Sequence, residues 1–245
     1  MLMKITTGDC LIEMQKIAAA SVDMVLCDLP YGQTQNAWDR VIDMPAMWEQ
    51  VRRATKPTAA VVLMAAQPFA SRLVLSNERE FRYDLIWAKN KPTGFLNAKK
   101  QPLRSHEHIL VFYRSPPTYF PQMTQGHKPG NYARQTKHST NYGAQTPTEY
   151  GGSTERYPKS VLEVPIINND DPEKVHPTQK PVGLMEWLIR SYTQPGELVL
   201  DFAAGSATTC VAAALLQRRF IGIELNAEYA VTASQRLAAM GGANG

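Results

Sequence analysis

Leu198-Val199-Leu200-Asp201-Phe202-Ala203-Ala204-Gly205-Ser206-Ala207-Thr208-Thr209 decides the reading of this chain. Its first residues run apolar up to an acid, as in a buried strand. A loop of small residues follows, and from there Ala207, Cys210, Val211 and Ala214 fall on one face at helical spacing. Small residues let the backbone approach a ligand closely, and the amides that open a helix can receive a carboxylate. A second strand, Phe220-Ile221-Gly222-Ile223-Glu224, ends on an acid roughly 20 residues after the loop. From that position a carboxylate in doubly wound folds accepts hydrogen bonds from ribose hydroxyls. Neither G-x-G-x-x-G nor G-x-x-x-x-G-K-[ST] occurs here, so a cofactor with ribose and no phosphate fits this half better than a dinucleotide.

At the other end of the chain the apolar run Val22 to Cys27 leads into Asp28-Leu29-Pro30-Tyr31. A strand ending in Asp and a Pro-Tyr turn bring a carboxylate, a backbone carbonyl and an aromatic face together. These suit a flat base with an exocyclic amino group: Asp28 and the carbonyl of Leu29 each accept one amino hydrogen, Pro30 fixes the turn and Tyr31 stacks on the ring. Taken alone, the tetrapeptide reads equally well as an ordinary strand exit.

The tetrapeptide resembles the Asp-Pro-Pro-Tyr motif of DNA amino-methyltransferases, with Leu29 in place of the first proline. The C-terminal loop resembles the Asp-Pro-Phe-x-Gly-Ser-Gly-Thr-Thr element of their S-adenosylmethionine-dependent beta group. Phe202 stands where proline is usual, Ala203 where phenylalanine is usual and Ala207 where the last glycine is usual, which bears on cofactor affinity. Phe202 is expected to compensate for the aromatic missing at 203, with a different rotation.

His176-Pro177-Thr178-Gln179-Lys180-Pro181 resembles a further element of the same group. The resemblance implies that it lies beside the methionine portion of the cofactor, with Thr178 and Lys180 meeting the carboxylate. Gly8-Asp9-Cys10 resembles the group's adenine-contacting element, with Asp9 as acceptor; Asp9 equally reads as a cap for the helix holding Leu11, Met14 and Ala18. The cofactor-binding set implied by the resemblance is thus Asp9, Cys10, His176, Thr178, Lys180, Asp201, Phe202, Ala203, Gly205, Ser206, Thr208, Thr209, Glu224, Leu225 and Asn226.

The elements keep the order of the beta group, catalytic turn before cofactor loop, so the resemblance runs from Gly8 to about Asn226. It implies an α/β, doubly wound, mostly parallel sheet of seven strands, Rossmann-like, with an antiparallel pair and an irregular target-recognition insert. Residues 1–114 form the catalytic half, 115–175 the insert and 176–245 the cofactor half. Between the ends, Pro45 to Thr55 reads as a helix, Ala59 to Met64 as a strand and Phe69 to Leu75 as a helix. Tyr83 to Trp87 and His108 to Tyr113 read as the antiparallel pair.

With 245 residues and 44% apolar content the chain can bury a full doubly wound core. No apolar run approaches the roughly 20 residues that span a bilayer, and Met1 to Glu13 lacks an export pattern, which gives the expectation of a cytoplasmic, nucleoid-associated protein without a membrane partner. Cys10, Cys27 and Cys210 are scattered without paired spacing, so they read as small core residues, with no metal expected. No Pro-Cys occurs, which removes the thiolate that methylation at a cytosine ring carbon needs. An amino nitrogen needs no such nucleophile.

A formal net charge of +4 is mild support for a polyanionic partner. From Ser115 to Val175 prolines punctuate a polar stretch in which cations alternate with Tyr119, Tyr132, Tyr142, Tyr150 and Tyr157, a composition suited to phosphate contact with base or sugar packing. An irregular stretch of this length is functional or disordered. The cations singled out for double-stranded DNA are Lys128, Arg134 and Lys137 in the insert, and Lys89, Lys99, Lys100 and Arg104 at the rim of the cleft. Trp38-Asp39 either closes the loop after the catalytic turn over a flipped base or anchors it on the core.

The resemblance implies site-specific methylation of the 6-amino group of adenine in duplex DNA, with a homodimer as a further expectation and a restriction-modification setting. Adenine rests on Asp28, where relatives acting on the amino group of cytosine more often carry serine. Cytosine is the runner-up, a catalytically weak DNA-binding module is a second alternative, and amino methylation of RNA or a metabolite is a third.

Overall fold

In the computed structural model, residues 3–32, 39–133, 149–168, 170–171, 174–175 and 179–242 are described. The organising strand is β2, Val22–Asp28, whose side chains are buried on both faces up to Asp28. It lies between β3 (Thr55–Ala65) and β9 (Leu198–Asp201), parallel to both. Beyond β9 come β10 (Arg219–Glu224) and β1 (Met3–Thr7); beyond β3 come β5 (Arg104–Phe112), β4 (Phe81–Thr93) and β8 (Val161–Glu163). Among the described residues only β5 runs against its neighbours, pairing antiparallel with β3 and with β4. The sheet is therefore mostly parallel with the antiparallel pair where the sequence put it.

Three features differ from the sequence reading. The sheet has eight strands, because Val161–Glu163 adds to the β4 edge the seven-strand pattern left open. The β4–β5 pair is longer than its apolar cores: β4 continues through Lys89 and Lys91 to Thr93, and β5 begins at Arg104. The helix after Asp9 is short, Cys10–Gln15 (α1), and leaves Ala18 outside it.

Alternation along the strands sorts side chains into two cores. Val25, Cys27, Val61, Leu63 and Leu200 face one side, where they meet α1, α2 (Met44–Ala54) and α3 (Phe69–Leu75) through Met14, Met47, Trp48, Val51, Phe69 and Leu73. Met24, Leu26, Val62, Met64 and Val199 face the other, against α4 (Val182–Tyr192), α5 (Thr208–Leu215) and α6 (Ala227–Gly242). Asp43 starts α2 by accepting the Ala46 amide at 2.9 Å. Helices on both faces make the sheet doubly wound. Its connections diverge on either side of β2 and β9, which opens a crevice at the carboxyl ends of those strands.

Residues 121–159 form a separate compact unit, narrower than the 115–175 interval read as the insert. Within it β6 (Gly130–Ala133) pairs antiparallel with β7 (Glu149–Ser153), and Thr124 bridges Arg156. The Arg156 guanidinium donates to the carbonyls of Ser153 at 2.8 Å and Lys128 at 2.6 Å, so it ties the unit together. Lys128 is exposed; Arg134, Lys137 and Tyr142 lie outside the described residues. Among the described residues no helix is long and apolar enough to cross a membrane.

Candidate active site

Both halves of the sequence pattern reach one cavity of about 1140 Å³, lined by Asp28 and Tyr31 at the end of β2 and by Gly205 and Glu224 beyond β9 and β10. The two ends of the chain meet because β2 and β9 are neighbours, with Val25 opposite Leu200. Both strands end on an acid at the same end of the sheet, with Asp28 two residues beyond the level of Asp201.

Asp28 sits in a half-buried polar network. Its Oδ2 accepts from Lys180 Nζ at 2.6 Å and its Oδ1 from the Tyr31 hydroxyl at 2.7 Å. Lys180 also lies 3.3 Å from Glu107 Oε2, and Glu107 is in turn paired with Lys89. Two lysines thus alternate with two carboxylates. Burial pushes the Asp28 carboxyl above the usual range, Lys180 pulls it back and Glu107 pushes it up again. For Glu107 burial also opposes ionisation, but Lys180 and Lys89 outweigh it and hold this carboxyl below its ordinary value. Burial works against the charge on Lys180, and its two carboxylates more than offset that. Burial and the same acids raise the Tyr31 phenol, which stays a donor. Its ring lies on Phe69, centroids 5.5 Å apart and planes 28° from parallel.

The turn after Tyr31 is closed by a buried carboxylate: Gly32 N donates to Asp39 at 2.8 Å. Gly32 has φ +66°, and a Cβ there would come within 2.9 Å of Val41. Both make glycine the fitting residue. Trp38 lies outside the described residues.

On the cofactor-loop side, Glu224 Oε2 accepts the Gly205 amide at 2.7 Å and Oε1 the Asn226 amide at 2.8 Å. The loop is thus clasped by the acid read as a ribose ligand. Asn226 caps α6 through the Glu228 amide at 2.8 Å, while Leu225 stands 62% exposed on the cavity wall. Asp9 caps α1, accepting the Leu11 amide at 2.8 Å, and lines the cavity as well, as does Cys10. Burial, reinforced by Asp9, pushes the Cys10 thiol up to about 11.

Ala203, Ser206, Thr208 and Thr209 all line the cavity. Phe202 is buried in the core with Leu29 and Phe69 and reaches the cavity wall from there. Ala207 holds φ +59°, the left-handed conformation that favours glycine, with its methyl fully buried. Burial pushes the Asp201 carboxyl up to about 7, against hydrogen bonds from Thr209, the Ala203 amide and Cys27.

His176 and Thr178 lie outside the described residues. Lys180, read as a partner for the cofactor's carboxylate, lines the cavity and is paired there with Asp28 and Glu107. Of the cations read at the rim, Lys89 lines the cavity in its pair with Glu107 and the exposed Arg104 lines it as well, whereas Lys99 and Lys100 are exposed at the β4–β5 hairpin away from its lining. Sequence reasoning missed Glu107. Its one signal is an acid between His106 and His108 at the start of a strand, which has no pattern to single it out.

A family model described as DNA methylase, N6_N4_Mtase, matches residues 22–235. The DNA adenine methyltransferase YhdJ of Escherichia coli is 28% identical over 245 residues, covering 94% of this chain and 81% of that protein. The type II methyltransferase M.BglII of Bacillus subtilis is 29% identical, covering 96% and 68%. Among solved structures, the M1.HpyAVI–SAM complex shares the fold with a TM-score of 0.62 at 24% identity, covering 95% of this chain and 98% of that one. The PvuII DNA methyltransferase, cytosine-N4-specific, shares it with a TM-score of 0.68 at 17% identity, covering 95% and 85%. The family match runs through both the Asp28 turn and the Gly205 loop, and the chain accordingly belongs to the N6_N4_Mtase family of DNA methylases.

Proposed function

We propose that this chain transfers a methyl group from S-adenosylmethionine to the 6-amino group of adenine in duplex DNA, with the target base flipped into the cavity. The observation that carries the reading is that the Asp28 carboxylate and the small-residue loop at Gly205 share one cavity. The residues there fit the cofactor: a buried carboxylate at Glu224 for ribose hydroxyls, a loop of Ala203 to Ser206 that admits close approach, and Leu225 for an apolar face. When bound, S-adenosylmethionine supplies an electrophilic methyl group on a sulfonium.

Asp28 and the Leu29 carbonyl accept the two amino hydrogens, which returns the nitrogen lone pair from the ring towards the reacting methyl. Each Asp28 oxygen has two lone pairs, so it keeps one for the substrate while Lys180 and Tyr31 hold it in place. Lys180 favours the ionised form of Asp28 against burial, and the Asp28 carboxylate takes the proton that the methylated nitrogen releases. The unit of residues 121–159, with the exposed cations Lys99, Lys100, Arg104 and Lys128, serves target recognition and phosphate contact.

Adenine is supported by Asp28 in the turn and by the naming of YhdJ as an adenine methyltransferase. Expression in a methylation-free host, followed by modification-sensitive sequencing, tests both base and site. Methyl-adenine at one recurrent sequence, lost with Asp28→Ala, is the expected result. Methylation of the cytosine amino group, or no mark at all, overturns it.

A further inference from the structure

The hairpin between β4 and β5 carries an exposed apolar pair that the active site does not use. Gly94, at φ +95°, opens a single 3-10 turn, Phe95–Asn97, in which Leu96 is 101% exposed and Phe95 69% exposed. The turn is ordered by its own backbone: Asn97 N donates to Gly94 O at 2.9 Å, Ala98 N to Phe95 O at 3.1 Å and Lys100 N to Asn97 O at 2.8 Å. Below it, Thr93 pairs with Arg104 to close the hairpin. Two adjacent large apolar side chains on a fixed turn gain nothing from water, and burying either one is favourable.

Two observations choose the partner that covers them. The flanking side chains Lys99, Lys100 and Arg104 are exposed cations, which match a phosphate backbone. Gly94 and Phe95 also line the cavity that holds Asp28 and Tyr31. The turn thus borders the cavity that the proposed function gives to the base. An apolar side chain carried between flanking cations to that border matches the wedges that proteins insert between base steps.

We infer that Leu96, backed by Phe95, enters the base stack of duplex DNA and fills the space the target base leaves, so that the β4–β5 hairpin holds the flipped state open. This rests on the proposed function and adds to it a positioning device at the edge of the catalytic cavity. The turn moves no proton and touches no reacting atom. Its contribution lies in the equilibrium between stacked and flipped base.

The test uses the full chain and a duplex carrying the recognition sequence found by the sequencing experiment, with 2-aminopurine at the target position. Wild type raises the 2-aminopurine fluorescence; Leu96→Ala and the double variant Phe95→Ala/Leu96→Ala lower that rise and, on the same duplex with adenine at the target position, the methylation rate, each by about tenfold. The salt dependence of DNA binding stays as in wild type, because the cations are kept, whereas Lys99→Ala/Lys100→Ala reduces its slope by about 2. Placing a natural target base opposite an abasic site removes most of the unpairing cost and restores the Leu96→Ala rate towards that of wild type.

Equal fluorescence and rates for variant and wild type on the paired duplex overturn the wedge. So does a loss shared equally by paired and unpaired targets, which marks a support of the fold, or a change of oligomeric state with base opening intact, which assigns the turn to a second copy. A wild type that marks no DNA sinks the proposed function and the wedge with it; a wild type that marks DNA while Leu96→Ala matches it sinks the wedge alone.

Discussion

Lys180 Nζ lies 2.6 Å from Asp28 Oδ2, an ion pair that joins residues 152 positions apart. It is the bond through which the loop after the insert governs the acid at the end of β2. Replacing Lys180 by methionine keeps the volume and removes the charge. Burial and Glu107 then act on Asp28 against the Tyr31 hydrogen bond alone, and its pKa rises. The expected outcome is an acid limb of the kcat/KM profile moved to higher pH, with activity near neutrality down by about 10²-fold. A variant with an unmoved acid limb contradicts the assignment.

Glu107→Gln makes the opposite change. Glu107 is the like-charged neighbour of Asp28, so its neutralisation lowers the Asp28 pKa and moves the acid limb to lower pH. Some activity is lost, about tenfold, because Lys89 and Lys180 then share fewer partners. The opposed directions of the two variants separate an electrostatic network from general damage to the site.

Asp201 gives a stability signature. Its folded pKa of about 7 lies above the ordinary carboxyl value, so its contribution is fully present below about pH 4 and is lost as pH rises through 7. Asp201→Asn removes that pH dependence. Urea unfolding at pH 5 and pH 8 should show wild type losing stability relative to the variant at the higher pH, by a few kcal/mol at most.

Ala207 tests the departure of the loop from the family pattern. In a left-handed conformation a non-glycine residue costs about 1–2 kcal/mol, and the buried methyl returns about 0.8 kcal/mol. Ala207→Gly should therefore change unfolding free energy by less than about 1 kcal/mol. Ala207→Val, branched at Cβ where no space is left, should cost more than about 2 kcal/mol in the same measurement.

The legible parts of this molecule are those with local pattern. The apolar run before Asp28, the small-residue loop at Gly205 and the acid at Glu224 gave their positions directly, and Phe69–Leu75 has the bounds read from its sequence. Strand β8 was hidden because three residues, Val-Leu-Glu, with one buried side chain among them carry no period. The polar extensions of β4 and β5 were hidden for a related reason: Lys89, Lys91 and Glu107 lie on strands whose side chains there meet each other and the cavity. Glu107 acquires its role from partners at 89 and 180, a relation no single stretch of sequence contains.

The adjacency of β2 and β9 carries a cost in time. Val25 is matched to Leu200, and Asp23 accepts the Leu198 amide at 2.8 Å, so a nascent chain that has emerged only through its first half has made its central strand with one flank bare. Such pairings, far apart along the chain, are slow to close and leave edges open to the wrong neighbour in the meantime. Synthesis thus leaves the floor of the cavity open until β9 and the loop after it have emerged.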